Sequence, residues 1–241
     1  MGADVRFPQV RTKDRDGHGS IKMLCPSMMC ANFDCLAQET RALDEAGADI
    51  FHCDVMDGYF VPNMTLGLQD IICIRRNTQK PVDAHLMIED PMDKVQWFIN
   101  AGCDIIYIHP ESERFVVRTL TKIREAGRMA GLALNPDTAI ETIGEMLNLC
   151  DYVMVMTVSP GFAGQQYIEF VTEKITRLGH MKSKYGYKLM VDGACSPQKI
   201  AELSQKGADG FVLGTSALFG KGASYKDLLN GLRALQKGEG V

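Results

Sequence analysis

AGADIFHCD (46–54), AGCDIIYIH (101–109) and KGADGFVLG (206–214) are three writings of one phrase. In each, a Gly closes a helical pattern, a short link follows, and an apolar strand begins. Gly suits the closing position because it takes the left-handed conformation at a helix C-terminus most easily. Echoes of this kind mark a repeated helix-to-strand unit. The opposite junction is marked too. Asp90-Pro91 and Ser196-Pro197 each set a capping side chain before a Pro at the first helical turn, and Asn135-Pro136 is a weaker version of that signal.

Between these marks fall eight strand candidates: 21–25, 49–54, 81–87, 105–109, 130–134, 152–158, 188–192 and 210–213. Helical patterns such as DCLAQETRALDEAG and SPQKIAELSQKGA separate them. Eight strands alternating with helices, without a linker, predict a single α/β domain, a (β/α)8 TIM barrel over 21–236. A doubly wound open sheet uses the same units, but the strands recur at even intervals and no GxGxxG follows the first. Residues 1–20 are polar, mixed in charge and aperiodic, and read as a flexible extension or an expression remnant; 237–241 read as a flexible C-terminus.

The totals exclude several classes. A net charge of -4 with scattered Lys and Arg argues against a nucleic-acid partner. No apolar run approaches the roughly eighteen residues of a membrane span. The first twenty residues lack the apolar core of a secretory signal, which makes the cytoplasm the default location. The eight cysteines lie mostly in apolar runs with no CxxC pair, so they read as small reduced core residues.

Barrels of this type keep their chemistry at the C-terminal ends of the strands. Here those ends carry His52 and Asp54 on the second strand, His85 on the third, His109 on the fourth and Asp192 on the seventh. A lone strand-end His is more often a hydrogen-bonded structural residue, and Asp before Gly is common turn chemistry. Several charged groups converging on one rim, however, are costly without a purpose. Imidazoles and carboxylates together suit one divalent metal ion: zinc, iron(II), manganese or cobalt. Asp57 falls off the alternating pattern and, followed by Gly58, reads as turn chemistry.

A second cluster is rich in small residues. Gly161-Phe162-Ala163-Gly164 follows the sixth strand, Gly193-Ala194 the seventh, and Gly214-Thr215 the eighth. Small residues let backbone N–H groups approach an anion, and the loops after strands seven and eight are a recurrent phosphate site in barrels. Three adjacent strand ends of this kind point to phosphate rather than to tight turns alone.

The phrases LCPSMMCANF, HCDVMDGYFVPNMTLG, DAHLM, LALNPDT, VMTVSPGFAGQ, VDGACS and LGTSALF run in order across residues 23–219, and together they resemble the ribulose-phosphate 3-epimerase family. The resemblance implies metal ligands at His52, Asp54, His85 and Asp192, with the two aspartates doubling as acid and base. It further implies that Ser27 contacts substrate and that Met56, Met87 and Met156 line the cavity. Met at such positions is by itself ordinary core filler. The implied reaction inverts C3 of a ketose phosphate, and the implied assembly is a homo-oligomer, dimer or hexamer. Two departures, Ala194 where a paired glycine is usual and Ala163 in PGFAGQ, together with His109-Pro110-Glu111 and PSMMC, incline the reading toward the D-allulose-6-phosphate 3-epimerase branch, with the D-ribulose 5-phosphate to D-xylulose 5-phosphate reaction as the alternative. A sugar-phosphate-binding barrel without turnover is a remote third reading, disfavoured by the presence of both aspartates. An aldolase or decarboxylase of this fold typically places a Lys among its strand-end charges, and none stands there.

Overall fold

The computed structural model describes residues 22–236. The expected extension, the first residue of the expected first strand, and the expected C-terminal tail lie outside the described residues. Eight strands form one parallel sheet: β1 (Met23–Pro26), β2 (Phe51–Met56), β3 (Val82–Met87), β4 (Ile105–Ile108), β5 (Met129–Leu134), β6 (Tyr152–Met156), β7 (Lys188–Asp192) and β8 (Gly210–Leu213). Their order, β1-β8-β7-β6-β5-β4-β3-β2, runs around a ring. The ring closes between β1 and β2 through a single bridge from Ser27 to His52. The chain is therefore a (β/α)8 barrel.

The helices are α1 (Leu36–Glu45), α2 (Leu68–Arg76), α3 (Val95–Ala101), α4 (Val116–Glu125), α5 (Val171–Tyr185), α6 (Pro197–Gln205) and α7 (Tyr225–Gln236). The closing glycines of the repeated phrase, Gly47, Gly102 and Gly207, all hold φ between 92° and 100°, the left-handed cap expected of them. Ser196 caps α6 as expected, its side chain accepting from the Lys199 N–H at 3.3 Å. Two junctions differ from expectation. Asp90 makes no side-chain cap and stands at φ 44° before a single 3-10 turn, Pro91–Asp93. Asn135-Pro136 opens a turn, not an α-helix; two 3-10 turns, Ile140–Ile143 and Met146–Leu149, stand between β5 and β6. These short turns still bury Ile140, Ile143 and Leu147, so they cover the strands as a helix would.

Strand side chains alternate between two cores. Cys53, Val55, Ala84, Leu86, Val153 and Val155 face outward into the layer beneath the helices. Ile105, Tyr107, Met154, Met190 and Val212 fill the barrel interior. The register lays Tyr107 beside Gly131. A Cβ at 131 would come within 2.3 Å of the Tyr107 ring, so the glycine is what lets an aromatic ring lie across the barrel floor.

The N-terminal rim carries a fourfold device. Asp49, Asp104, Asp151 and Asp209 stand just before β2, β4, β6 and β8. Each carboxylate accepts the N–H of a residue at the start of the preceding strand: Leu24, Val82, Ala130 and Leu189, at 2.8 to 2.9 Å. Each aspartate N–H donates back to the carbonyl of that same residue. Each carboxylate also meets a cation: Arg233 at 2.9 Å, Arg75 at 2.8 Å, Arg124 at 3.8 Å and Lys182 at 2.7 Å, respectively. Three of the four aspartates belong to the repeated phrase with which the sequence reading began.

Candidate active site

β2 and β3 pair in a register that sets His52 beside Asp83, Asp54 beside His85, and Met56 beside Met87. All six face the barrel interior, because positions two apart share a face. β6 and β7 set Met156 beside Asp192 at the same end. The result is a buried constellation of His52, Asp54, His85 and Asp192, each offering a ligand atom within 4.8 Å of the others. His52 Nε2 lies 3.2 Å from Asp54 Oδ1 and 3.8 Å from Asp192 Oδ2. His85 Nδ1 lies 3.4 Å and 3.6 Å from the same two oxygens.

This donor set fits a divalent cation. His85 Nδ1 is buried without a hydrogen-bond partner, although it points at two carboxylates. A buried orphan nitrogen is costly unless something occupies the space it faces. Two imidazoles and two carboxylates converging on one point supply what a borderline ion requires.

The two aspartates differ in environment. Burial works to raise the pKa of Asp54, but the adjoining His52 and His85 hold it below the ordinary carboxylate range. Burial and the Asp54 charge push Asp192 up to about 6. His52 is held well above the usual imidazole value: burial opposes this, and the Asp83 and Asp54 carboxylates outweigh it. His109, deeply buried, is pushed down to about 4.

Supporting groups surround the cluster. The Ser27 hydroxyl donates to Asp54 Oδ2 at 2.6 Å, so the residue expected against substrate also orients a carboxylate. Asp83, buried, puts Oδ1 2.8 Å from His52 Nδ1, though not along a hydrogen-bond direction. The sequence reading missed Asp83. The signal was present in VDAHLM, where Asp83 stands two residues before His85 and must share its face. Asp57 is turn chemistry as expected: Oδ1 accepts from the Tyr59 and Phe60 N–H groups, and Oδ2 accepts from the Glu89 N–H, tying the loop after β2 to the one after β3.

Above the cluster, at the C-terminal ends of the strands, opens a cavity. Asp54 and Asp192 line it, as do Ser27, Met56, Met87 and Met156. His52 and His85 do not; they sit fully buried behind the aspartates. Gly161, Phe162, Ala163, Gly164, Gly193, Ala194, Gly214 and Thr215 line it too, so the two clusters read from the sequence share one cavity. The loop after β6 is braced: Gln165 Nε2 donates to the Ser159 and Phe162 carbonyls, and Asn63 Nδ2 donates to the Gly161 carbonyl at 2.7 Å. Cys30, expected in the core, packs against it and also lines the cavity, and burial keeps its thiol protonated by raising its pKa to about 11.

Comparison with known proteins agrees with this geometry. The model of the ribulose-phosphate 3 epimerase family matches residues 23–219. The chain is 40% identical to the ribulose-phosphate 3-epimerase of Aquifex aeolicus over 83% of its length and 90% of the relative's. It is likewise 40% identical to the enzyme of that name from Synechocystis, over 90% of this chain and 95% of that one. Among solved structures, a tryptophan synthase α-subunit from Pyrococcus furiosus superposes with a TM-score of 0.64 at 15% identity, covering 92% of this chain and 99% of that one, a likeness of fold alone. With its motifs matched along nearly the whole barrel and a His/Asp cluster that could hold a metal ion assembled at the expected strand ends, this chain belongs to the ribulose-phosphate 3-epimerase family.

Proposed function

We propose that the protein is a metal-dependent ketose-phosphate 3-epimerase that interconverts D-ribulose 5-phosphate and D-xylulose 5-phosphate. The observation that carries this reading is the pair Asp54 and Asp192, which come from β2 and β7 and both line one cavity facing the glycine loops. Inverting a carbon beside a ketose carbonyl requires removing its proton from one face and returning a proton to the other. One rigid base tends to return the proton to the same face; two carboxylates flanking the substrate avoid this. A divalent ion, zinc, iron(II), manganese or cobalt, held by His52, Asp54, His85 and Asp192 supplies Lewis-acid stabilisation for the negative charge that develops on the substrate oxygens. Ser27 orients Asp54, the three methionines give the sugar an apolar bed, and the backbone N–H groups of the three glycine loops suit its phosphate.

The inclination toward D-allulose 6-phosphate gives way here. The curated relatives compared above carry the name ribulose-phosphate 3-epimerase. Ala194, one of its markers, has a local effect: it stands at φ 47°, where a methyl group changes backbone strain without setting how far the phosphate lies from the reacting carbon. A cytoplasmic homo-oligomer, dimer or hexamer, belongs to the same proposal. Half-exposed Trp97 and Phe115 are consistent with a buried contact surface, and light scattering measures the assembly.

The test is a paired assay. Ribulose 5-phosphate should give at least a tenfold higher kcat/KM than allulose 6-phosphate, and parity or reversal would return the hexulose reading. Asp54→Asn and Asp192→Asn should each lose about 10²–10⁴-fold in kcat, the usual worth of a general acid or base, while keeping the fold. Near-normal turnover by either variant would sink the two-base assignment.

A further inference from the structure

His109 was conspicuous in the sequence, yet the proposed chemistry leaves it unused. It is fully buried, its ring lies edge to edge with that of His85, centroids 5.0 Å apart and planes 23° from parallel, and its Nε2 lies 2.8 Å from His85 Nε2. On its other side, Nδ1 lies 3.3 Å from Glu111 Oε2. Glu111 is itself anchored: Oε1 accepts from the Asn135 N–H at 3.0 Å and from the Thr138 hydroxyl. Phe60 from the loop after β2 packs over the His109 ring at 5.1 Å.

Counting protons along this chain leaves one arrangement. The His85 atom facing the two aspartates is Nδ1, so as a metal ligand it must present a lone pair there. A neutral imidazole has one N–H, which His85 must then carry on Nε2. Two ring nitrogens 2.8 Å apart can share only one proton between them, so His109 Nε2 is the acceptor. His109 therefore carries its own proton on Nδ1, where an ionised carboxylate, which can only accept, is waiting.

We infer that His109 and Glu111 are positioning residues, a relay that locks His85 in the tautomer presenting Nδ1 to the metal. The inference rests on the metal reading above. It also distinguishes the two histidine ligands. His52 turns Nε2 to the cluster and backs onto the Asp83 carboxylate directly, whereas His85 turns Nδ1 and reaches its carboxylate through a neutral imidazole. Groups that hold the distal nitrogen of a metal-bound His fix its orientation and tune its basicity.

The test uses zinc alone as the probe, with the full chain. His109→Phe keeps a ring but removes the acceptor, and zinc affinity measured against a competing chelator should fall about 10–100-fold. His109→Gln, whose side-chain oxygen can accept from His85 Nε2, should recover most of that loss. In wild-type protein labelled with ¹⁵N-histidine and loaded with zinc, His109 should show a bare Nε2 and a protonated Nδ1, a signature that needs no variant to fold. Zinc affinity in His109→Phe within twofold of wild type, a protonated His109 Nε2, or wild-type protein that binds no zinc would each overturn the relay. Zinc binding with the expected tautomer but no epimerisation would leave the relay standing and remove only the proposed activity.

Discussion

Ala194 holds φ at 47°, and its neighbour Gly193 holds 104°, directly after the strand that delivers Asp192. A side chain in the left-handed region costs about 1–2 kcal/mol, because Cβ crowds the following carbonyl. Gly at 194 removes that strain but leaves the unfolded chain freer, which returns about 0.4–1 kcal/mol. Ala194→Gly should therefore raise stability by about 0.5–1 kcal/mol in urea denaturation. Gly193→Ala should do the opposite, by about 2 kcal/mol or more, because a Cβ there would stand 2.7 Å from Val158 Cγ2 in addition to the strained φ. Thr157 shows why this loop does not relax: its hydroxyl donates to the Gly193 carbonyl, pinning β7's exit to β6. A shift of the same sign in both variants would show that strain at this corner is set elsewhere.

At the scale of the elements, the repeated phrase has a mechanical meaning. Its aspartate clamps two strands together by a pair of backbone hydrogen bonds and docks a cationic side chain onto the same carboxylate. Asp104 is the clearest case. It accepts from the Val82 N–H at 2.9 Å and from Arg75 at 2.8 Å, and Arg75 also donates to the Thr78 and Lys80 carbonyls. Asp104→Ala leaves the Val82 N–H without its acceptor and should cost about 1–3 kcal/mol. Asp104→Asn keeps an oxygen acceptor and loses only its partly exposed ion pairs with Arg75 and Arg128, each worth about 0–1 kcal/mol. Equal losses in the two variants, read by chemical denaturation, would assign the clamp to charge rather than to the backbone hydrogen bond. The fourth clamp, Asp151, does not carry the repeated phrase: its stretch reads LCDYV, with Leu149 where the others have the helix-closing Gly.

At the scale of the whole molecule, the four-residue cluster joins strands that are not neighbours. His52, Asp54 and His85 come from β2 and β3; Asp192 comes from β7, with β8 and β1 between. The ring is thinnest there: beyond the Asp49 clamp, β1 and β2 are joined by the Ser27–His52 bridge and the Ser27–Asp54 hydrogen bond. A bound ion would hold this seam from the inside. Zinc at about 100 times its Kd stabilises the folded chain by about 2.7 kcal/mol, or roughly 5–10 °C in Tm for a domain of this size. Calorimetry with saturating zinc and then with excess chelator measures this, and a Tm that does not move would exclude the cluster as a metal site.

Much of this protein was determined by local chemistry. Alternation of helical and strand patterns, glycines at left-handed caps, and Ser196-Pro197 at a helix start need no distant partner, so the barrel could be read directly. So could His52 and Asp54, two residues apart on one strand, and the small residues at three strand ends. Where a signal depended on context, the reading erred: Asp90 and Asn135 precede proline but head short turns, because only packing decides whether an α-helix follows. Asp83 and the His109–Glu111 pair were visible as letters, but their meaning required strand register, which sets Asp83 beside His52 and brings the fourth strand's histidine against the third's. Register is a property of the closed ring. No single strand contains it, and that is why the four residues of the cluster were legible in the sequence while the groups packed around them were decided by the tertiary structure.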